Sequence, residues 1–575
     1  MAPHTIIIHN KQEWHFSRPS EVAFSFSPNE VHKVITQADI WAHQGKYVIG
    51  WVCYESALAF DHAFPKKQNI PELPLVWFGA FHEPIIIPLS FSAKQPAGYQ
   101  AKHDWQPMIK RQEYNERFQI IHENICKGNV YQVNLTFPLT SKIEGDLQSL
   151  FYHLCFAQGD GYFVYIQTED FSVLSISPEL FFHYKDGSIT LKPMKGTRPR
   201  GRWNIEDTKN LHELKNDPKD RAENLMIVDL LRNDVGKIAI IGSVEVPELF
   251  SCEPYRTVWQ MTSTIRAKTE TRWIHVLSAL FPSGSVTGAP KIYAMKLINE
   301  LEKYPRGIYC GAVGWITPKN EATFNVAIRT LIHNKKTNTA YYYVGSGIVW
   351  DSEADKEWEE CISKSAILNN FPSYFSLIET LRVENKEIFL LTHHLQRLEN
   401  SAKRFQFPLS MFNLKTELTN YIHSTNEPLY RLRITVTPDG KFTFEKSPYI
   451  ETKKIKVGFA KKPIHTKNLF LYHKTTYRCM YEEAKKERPD CDDVLLWNEE
   501  GYLTESTIAN LVVCIGGRLF TPPIHCGLLP GTFRQYLLDH AIIEERCIKR
   551  EELQSANAIY LINSVRKWID IDWNG

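Results

Sequence analysis

Residues 345–364, GSGIVWDSEADKEWEECISK, constrain this chain more than any other stretch. Gly-Ser-Gly leads into a short apolar Ile-Val-Trp, the chain turns at Asp351-Ser352, and an acidic segment follows. Glu357, Glu360 and Lys364 then recur at i, i+3 and i+7, which on a helix stacks three side chains on one face. Two carboxylates and an ammonium on one stripe suit a divalent cation and the anionic group of a small substrate. A glycine-rich entry lets backbone N–H groups approach the same ligand. Taken alone, the pattern reads first as a solvated charged face with an i, i+4 Glu–Lys pair, and its company upstream is what overturns that.

The chain is 575 residues long, more than one compact core accommodates, so two or three domains are expected. A formal net charge of +2 offers neither a nucleic-acid groove nor an anionic membrane anything to act on. Apolar runs fall short of the roughly 20 residues that span a bilayer. The opening MAPHTIIIHNKQEW lacks a basic region followed by an apolar one, so no secretory signal is expected. Eleven cysteines never form C-x-x-C, which suits a reducing cytoplasm and argues against a disulfide framework or a cysteine-rich zinc site.

In chain order, residues 1–100 carry β-type runs such as YVIGWVCYES and LPLVWFGAF, read as antiparallel strands. Gln112 to Gly128 reads as a helix ended by glycine, leading into a strand with Gln132 and Asn134. LSISPELFFHY places Glu179 after a proline at the head of a strand. LKPMKGTRPRG reads as a strand entering a turn, with Lys195 before Gly196; a basic surface turn is its plainest reading. DRAENLMIVDLLRNDVGKI reads as an amphipathic helix with Glu223 ahead of its apolar stripe. FPSGSVTGAPKIYAMKLINELE gives a Gly/Ser/Thr turn, then Pro290 in the first turn of a helix, whose N–H groups offer an anion site. FNVAIRTLI reads as one apolar strand interrupted by Arg329, which needs a carboxylate or phosphate partner.

SPE, KPMKGTRPRG, AENLMIVDLLRNDVG, PSGSVTGAPK, RGIYCGAVG, AIRT and GSGIVWDS…EWEECISK occur in that order over about residues 20–366. Together they resemble the chorismate-utilising family, which includes anthranilate, isochorismate, salicylate and aminodeoxychorismate synthases. The resemblance implies an α+β fold, a large antiparallel β-sandwich with helices and a cleft site. It implies that Glu223, Glu357 and Glu360 surround Mg²⁺, and that Thr287, Arg329 and the backbone at Gly345 and Gly347 hold the anionic groups of chorismate. Lys364 would close the site and Glu179 would act as general acid/base. Anthranilate synthases typically carry alanine where this chain has Lys195; aminodeoxychorismate synthases of the lysine type carry lysine. That lysine makes sense as a nucleophile on C2 of the ring, displaced later by ammonia at C4, and it must then be uncharged. Gln132 stands near the place of a water-activating lysine in the salicylate and isochorismate enzymes, which disfavours water as nucleophile. Gln260 replaces a histidine of the anthranilate enzymes and receives no catalytic role.

Beyond AILNNFPSYF the pattern changes, giving an expected first domain of residues 1–368 and a second of 374–575. FSLIETLRVENKEIF reads as a hairpin and the next stretch as a helix bearing Arg397; the adjacent His393 and His394 read as capping or packing groups rather than metal ligands. HKTTYR, GYLTESTIAN and GLLPGTFR together resemble the fold-type IV pyridoxal-phosphate enzymes, an α/β fold spanning about residues 374–570. That resemblance implies that Lys474 carries pyridoxal 5'-phosphate, that Glu505 meets the pyridine nitrogen, and that Arg397, Gly531 and Thr532 take the phosphate. A homodimer through this module is one assembly the resemblance allows.

The two resemblances together imply synthesis of 4-amino-4-deoxychorismate from chorismate and ammonia, then pyruvate elimination to 4-aminobenzoate for folate supply. No cysteine sits in a Gly-x-Cys-x-Gly elbow, so a separate glutamine amidotransferase subunit is expected to deliver the ammonia. Two rival readings stay open: an anthranilate-type synthase fused to an aminotransferase, and a C-terminal module with only a structural role.

Overall fold

The computed structural model describes residues 5–91, 103–369, 374–451 and 454–573. The expected inter-domain boundary falls partly outside these. The chain forms two units: Met1–Pro199 with Asn210–Ser373, and Arg200–Lys209 with Tyr374–Gly575. The short Arg200–Lys209 stretch therefore leaves the sequence neighbourhood of Lys195 and belongs to the second unit.

The first unit holds two ten-stranded sheets, every ladder antiparallel. One core lies between them, built from residues such as Ile7, Val173 and Ile332 of one sheet and Trp51, Phe78 and Phe324 of the other. A second core packs helices Arg111–Cys126, Leu147–Gln158, Lys291–Leu301 and Ala354–Ser365 on the outer face of the first sheet.

Strand alternation on the sheet carrying the site follows from the period of two. In strand Gln132–Lys142, Val133, Leu135, Phe137 and Leu139 join the outer core, which turns Gln132, Asn134 and Thr136 to the other face. The neighbouring strand Thr339–Ile348 sends Ala340, Tyr342, Val344 and Ile348 into the same outer core. Gly345 therefore lies opposite Thr136, and Gly347 opposite Asn134, on the polar face. The sheet thus has a bare patch of backbone framed by amide and hydroxyl groups.

Two expectations need correction. FNVAIRTLI is not one strand: Ala322–Val326 belongs to one sheet and Thr330–Asn334 to the other. The chain crosses between them at Arg329, whose φ of 51° is the left-handed conformation that breaks a strand. Lys195 is not on a surface turn either; it lies in strand Met194–Pro199, paired with Val258–Lys268 through a bulge at Gly196, φ 86°.

In the second unit, a four-stranded antiparallel sheet contains strand Leu377–Glu384, with helix Leu391–Phe405 packed beside it. An eight-stranded mixed sheet carries Leu503–Ser506 and Asn510–Ile515. Both parallel and antiparallel ladders occur in it. No helix among the described residues is long and apolar enough to cross a membrane.

Candidate functional site

Lys195 is half-buried, and from its strand in the second sheet its amine reaches the polar face of the first. A Cβ added to Gly347 would stand 3.0 Å from Lys195 Nζ and 2.8 Å from Gln132 Nε2, so glycine at 347 is what leaves the amine its space. Burial depresses the Lys195 pKa, with Glu223, Glu179 and Glu360 opposing and Lys364 assisting. Gln260, without a role in the sequence reading, fastens this strand: its Nε2 donates to Gly196 O at 2.9 Å and its Oε1 accepts from Thr197 Oγ1 at 2.9 Å.

Glu179 is also buried, and its pKa is pushed up to about 7 by burial, against the Ser285 hydroxyl and Lys195. Ser285 Oγ donates to Glu179 Oε1 at 2.6 Å. A carboxyl poised near neutrality can give a proton to a leaving group and take it back. Ser285 comes from the PSGSVTG turn and was missed, because a serine in a Gly-rich turn reads as turn chemistry. Gln132 is wholly buried with neither side-chain polar atom hydrogen-bonded in the structure, an arrangement that invites a polar ligand.

The acidic helix arranges its stripe as the spacing predicts. Lys364 Nζ lies 2.7 Å from Glu360 Oε1 and donates to Gly345 O at 2.8 Å, so it reaches back over the glycine strand. Burial would raise the Glu360 pKa, but Lys364, with Lys195 and Arg329, outweighs it and the net shift is downward. Ser352 Oγ donates to Glu357 Oε1 at 2.7 Å. Glu223 is raised by burial, with Lys195 opposing and Glu357 among the charges adding to the rise. The three carboxylates share one electrostatic neighbourhood without converging on a point. Among the described residues, the one such group of three with all ligand atoms within 4.8 Å is His525, Cys526 and Cys547. All-oxygen donors are the type that fits Mg²⁺.

Two expected substrate contacts look different in place. Thr287 Oγ1 donates to Ser283 O at 3.1 Å and Gly284 O at 3.3 Å, which commits its proton to shaping the turn. Arg329 is half-buried, and its Nη1 donates to the Lys364 carbonyl. Pro290 precedes the first helical residue, Lys291, as its N-cap.

The second unit gathers the other predicted residues. Burial, followed by Arg397, lowers the Lys474 pKa to about 8, while Glu379 and Glu505 pull it back. Glu505 is buried and raised to about 8 by burial, although three donors reach it. Tyr481 Oη donates at 2.8 Å, and Leu529 N–H and Asn510 Nδ2 each donate at 3.1 Å. Those donors favour a carboxylate, burial opposes it, and a cation placed above Glu505 would decide for the charged form. A Cβ on Gly531 would stand 1.8 Å from Asn510 Oδ1, so the 527–532 loop can pass this close only with glycine there. A half-buried amine, a buried carboxylate and a close-approaching glycine loop at a helix start fit pyridoxal phosphate.

Arg397 adjoins that loop, but most of its donors are engaged. Nε and Nη2 donate to Glu379 at 2.8 and 2.7 Å, and Nη1 donates to Pro530 O at 3.2 Å. His394, read as packing or capping, is buried between Glu379 Oε2 at 2.7 Å and Thr532 Oγ1 at 3.3 Å. The HH dipeptide carried no spacing signal for this bridge.

A further anchor came from far upstream. His473, next to Lys474, is buried with its pKa lowered to about 3 by burial and by Arg404. The neutral ring contacts Ser401 Oγ at 2.9 Å through Nδ1 and donates from Nε2 to Arg202 O at 2.9 Å. Arg404 Nε donates to Gly201 O at 2.7 Å, and Arg202 donates to Thr466 O at 3.1 Å. The RGRW segment, which sequence reading attached to Lys195, thus braces the turn leading to Lys474.

Residues 3–370 match the chorismate binding enzyme family, and residues 376–572 match amino-transferase class IV. A relative from Klebsiella aerogenes, aminodeoxychorismate synthase component 1, is 37% identical over 318 residues, which is 54% of this chain and 68% of that protein. Anthranilate synthase component 1 of Aquifex aeolicus (strain VF5) is 36% identical over 267 residues, 46% of this chain and 54% of its own length. Anthranilate synthase component I from Streptococcus pneumoniae TIGR4 superposes with a TM-score of 0.52 at 23% identity, over 64% of this chain and 91% of that one, a likeness of fold.

Proposed function

Because the chain belongs to the chorismate binding enzyme family, we propose that its first unit makes 4-amino-4-deoxychorismate from chorismate and ammonia, and that its second eliminates pyruvate to yield 4-aminobenzoate for folate synthesis. Similarity alone does not choose between products, since the relatives include both aminodeoxychorismate and anthranilate synthases. The observation that carries the choice is Lys195: half-buried, with a depressed pKa, and facing the space left by Gly347.

In this reading the neutral Lys195 amine bonds to ring C2 as the C4–O bond breaks, and Glu179 gives its proton to the departing hydroxyl, which leaves as water. The Glu179 carboxylate then takes the surplus proton from the substituted amine. Ammonia bonds to C4, the C2–N bond breaks, and Glu179 returns a proton to the leaving lysine. Ser285 holds Glu179 toward the ring, and Lys364 and Arg329 supply cationic surroundings for substrate carboxylates. Glu223, Glu357 and Glu360 would hold Mg²⁺, whose charge would bind a substrate carboxylate. Water attack requires a base, and Gln132 provides none.

In the second unit Lys474 would hold pyridoxal 5'-phosphate, with Glu505 at the ring nitrogen and Gly531, Thr532 and Arg397 at the phosphate. The bound cofactor supplies an electron sink for the elimination. Lys474, with a pKa of about 8, removes the ring proton as the ring aromatises and gives it to the departing enolpyruvyl group, which leaves as pyruvate. Tyr481 and Asn510 keep Glu505 in line. Ammonia is supplied by a separate glutamine amidotransferase subunit. Incubating the purified protein with chorismate, ammonium, Mg²⁺ and pyridoxal phosphate tests the whole reading: the expected product is the para isomer, and ortho-aminobenzoate would reject it.

A further inference from the structure

Cysteine spacing along the chain argues against a cysteine-rich zinc site, yet the fold brings a mixed set together in the second unit. The parallel pairing of Phe520 with Glu544 and Thr521 with Glu545, continued by Arg546 N–H donating to Thr521 O at 3.0 Å, carries Cys547 alongside the short turn Ile524–Cys526. Cys526 Sγ and Cys547 Sγ stand 3.8 Å apart, and Cys547 Sγ lies 3.6 Å from His525 Nε2. All three ligand atoms lie within 4.8 Å of one another.

These separations have a specific meaning. A tetrahedral zinc ion with Zn–S of about 2.3 Å and Zn–N of about 2.05 Å imposes an S···S edge of about 3.8 Å and an S···N edge of about 3.6 Å. The S···S edge and one of the two S···N edges are already present, and the third, Cys526 Sγ to His525 Nε2, lies within 4.8 Å, so an ion needs only the exposed imidazole to adjust. Burial is graded to match: Cys526 is buried, Cys547 half-buried and His525 exposed, which leaves a path for an ion from solvent. Asn498 Nδ2 donates to Cys526 O at 3.2 Å and fixes the turn. The carboxylates of Glu500 and Glu545 are close enough to act electrostatically on Cys526, which adds negative potential where a cation would sit.

We propose that His525, Cys526 and Cys547 form a zinc(II) site, with two thiolates, one imidazole and a fourth position open to water. Two soft sulfur donors separate it chemically from the all-oxygen cluster of Glu223, Glu357 and Glu360, so the two sites take different cations. On binding, each thiol loses its proton to solvent and no redox change occurs. The site also has structural reach. Cys526 is followed by Gly527, φ 102°, and by the loop that gives Leu529 N–H to Glu505 and Pro530 O to Arg397.

The test uses the full-length protein, fully reduced, freed of metal and titrated with Co²⁺. Expected are one equivalent bound with a thiolate-to-cobalt charge-transfer band and the intense visible bands of a tetrahedral ion, bleached by one equivalent of Zn²⁺. Cys547→Ser should abolish the charge-transfer band attributable to this site, and His525→Ala, at an exposed position that leaves packing intact, should weaken binding at least tenfold. Zn²⁺ should raise the Tm of the wild type but not of Cys547→Ser. No thiolate-to-cobalt band in the wild type, or a band of undiminished strength in both variants, overturns the proposal. So does conversion of Cys526 and Cys547 to a disulfide that forms equally fast with and without Zn²⁺.

Discussion

Lys195 sits among carboxylates, and Lys474 sits against an arginine. Burial lowers both, but the charges around Lys195 are chiefly Glu223, Glu179 and Glu360, which hold its proton on, with Lys364 alone working the other way. Around Lys474 the leading charge is Arg397, which pushes the proton off alongside burial. Burial outweighs the carboxylates around the first amine, and protonating them or occupying them with a cation would free it further, so the state of the site tunes its nucleophile. The second is close to half-neutral near pH 8 from its fixed surroundings.

The comparison breaks most decisively if the lysines are exchanged for alanine. Lys195→Ala should cut conversion of chorismate and ammonium by at least about 10³-fold while leaving pyruvate release from supplied 4-amino-4-deoxychorismate unchanged. Lys474→Ala should do the reverse and lose the visible absorbance of the reconstituted protein.

Glu179→Gln comes next. The synthase rate should fall by about 10²–10³-fold, the share of a positioned acid/base. Wild-type rate, measured at constant free ammonia, should decline as pH rises through about 7, where Glu179 loses the proton it donates. That descending limb should vanish in the glutamine variant.

A smaller effect sharpens the second half of the comparison. The rate at which the protein takes up pyridoxal phosphate should rise with pH through about 8, as Lys474 becomes neutral. Arg397→Gln removes the leading cation and leaves Glu379 less compensated, and both changes move that midpoint upward. An unmoved midpoint would mean burial alone sets Lys474. The smallest effect belongs to Ser401→Ala, which removes the Nδ1 partner of His473 and should cost about 1 kcal/mol of stability with a modest loss of cofactor retention.

Much of the site was legible because strand and helix periods place residues in space. The i, i+3, i+7 spacing of Glu357, Glu360 and Lys364 became a helical face, and Lys364 meets Glu360 as drawn. The alternation in the Gln132 strand and the glycines at 345 and 347 likewise became one face of a sheet. What could not be read is what depends on long-range placement. Nothing in KGTRPRGRW announces that Lys195 lies in a paired strand while Gly201 and Arg202, a few residues on, brace His473. His394 and Glu379 lie 15 residues apart on different elements, and their contact depends on how helix Leu391–Phe405 docks on its sheet. Arg329 was misplaced because an apolar run conceals a crossing between sheets, which only its left-handed backbone reveals.

The most direct measurement supplies chorismate, ammonium and both cofactors to Lys195→Ala, to Lys474→Ala and to their mixture. Two separate lysine-dependent steps predict that the first variant leaves chorismate unconsumed, the second accumulates 4-amino-4-deoxychorismate, and the mixture completes 4-aminobenzoate. Formation of 4-aminobenzoate from chorismate by either variant alone would contradict the account.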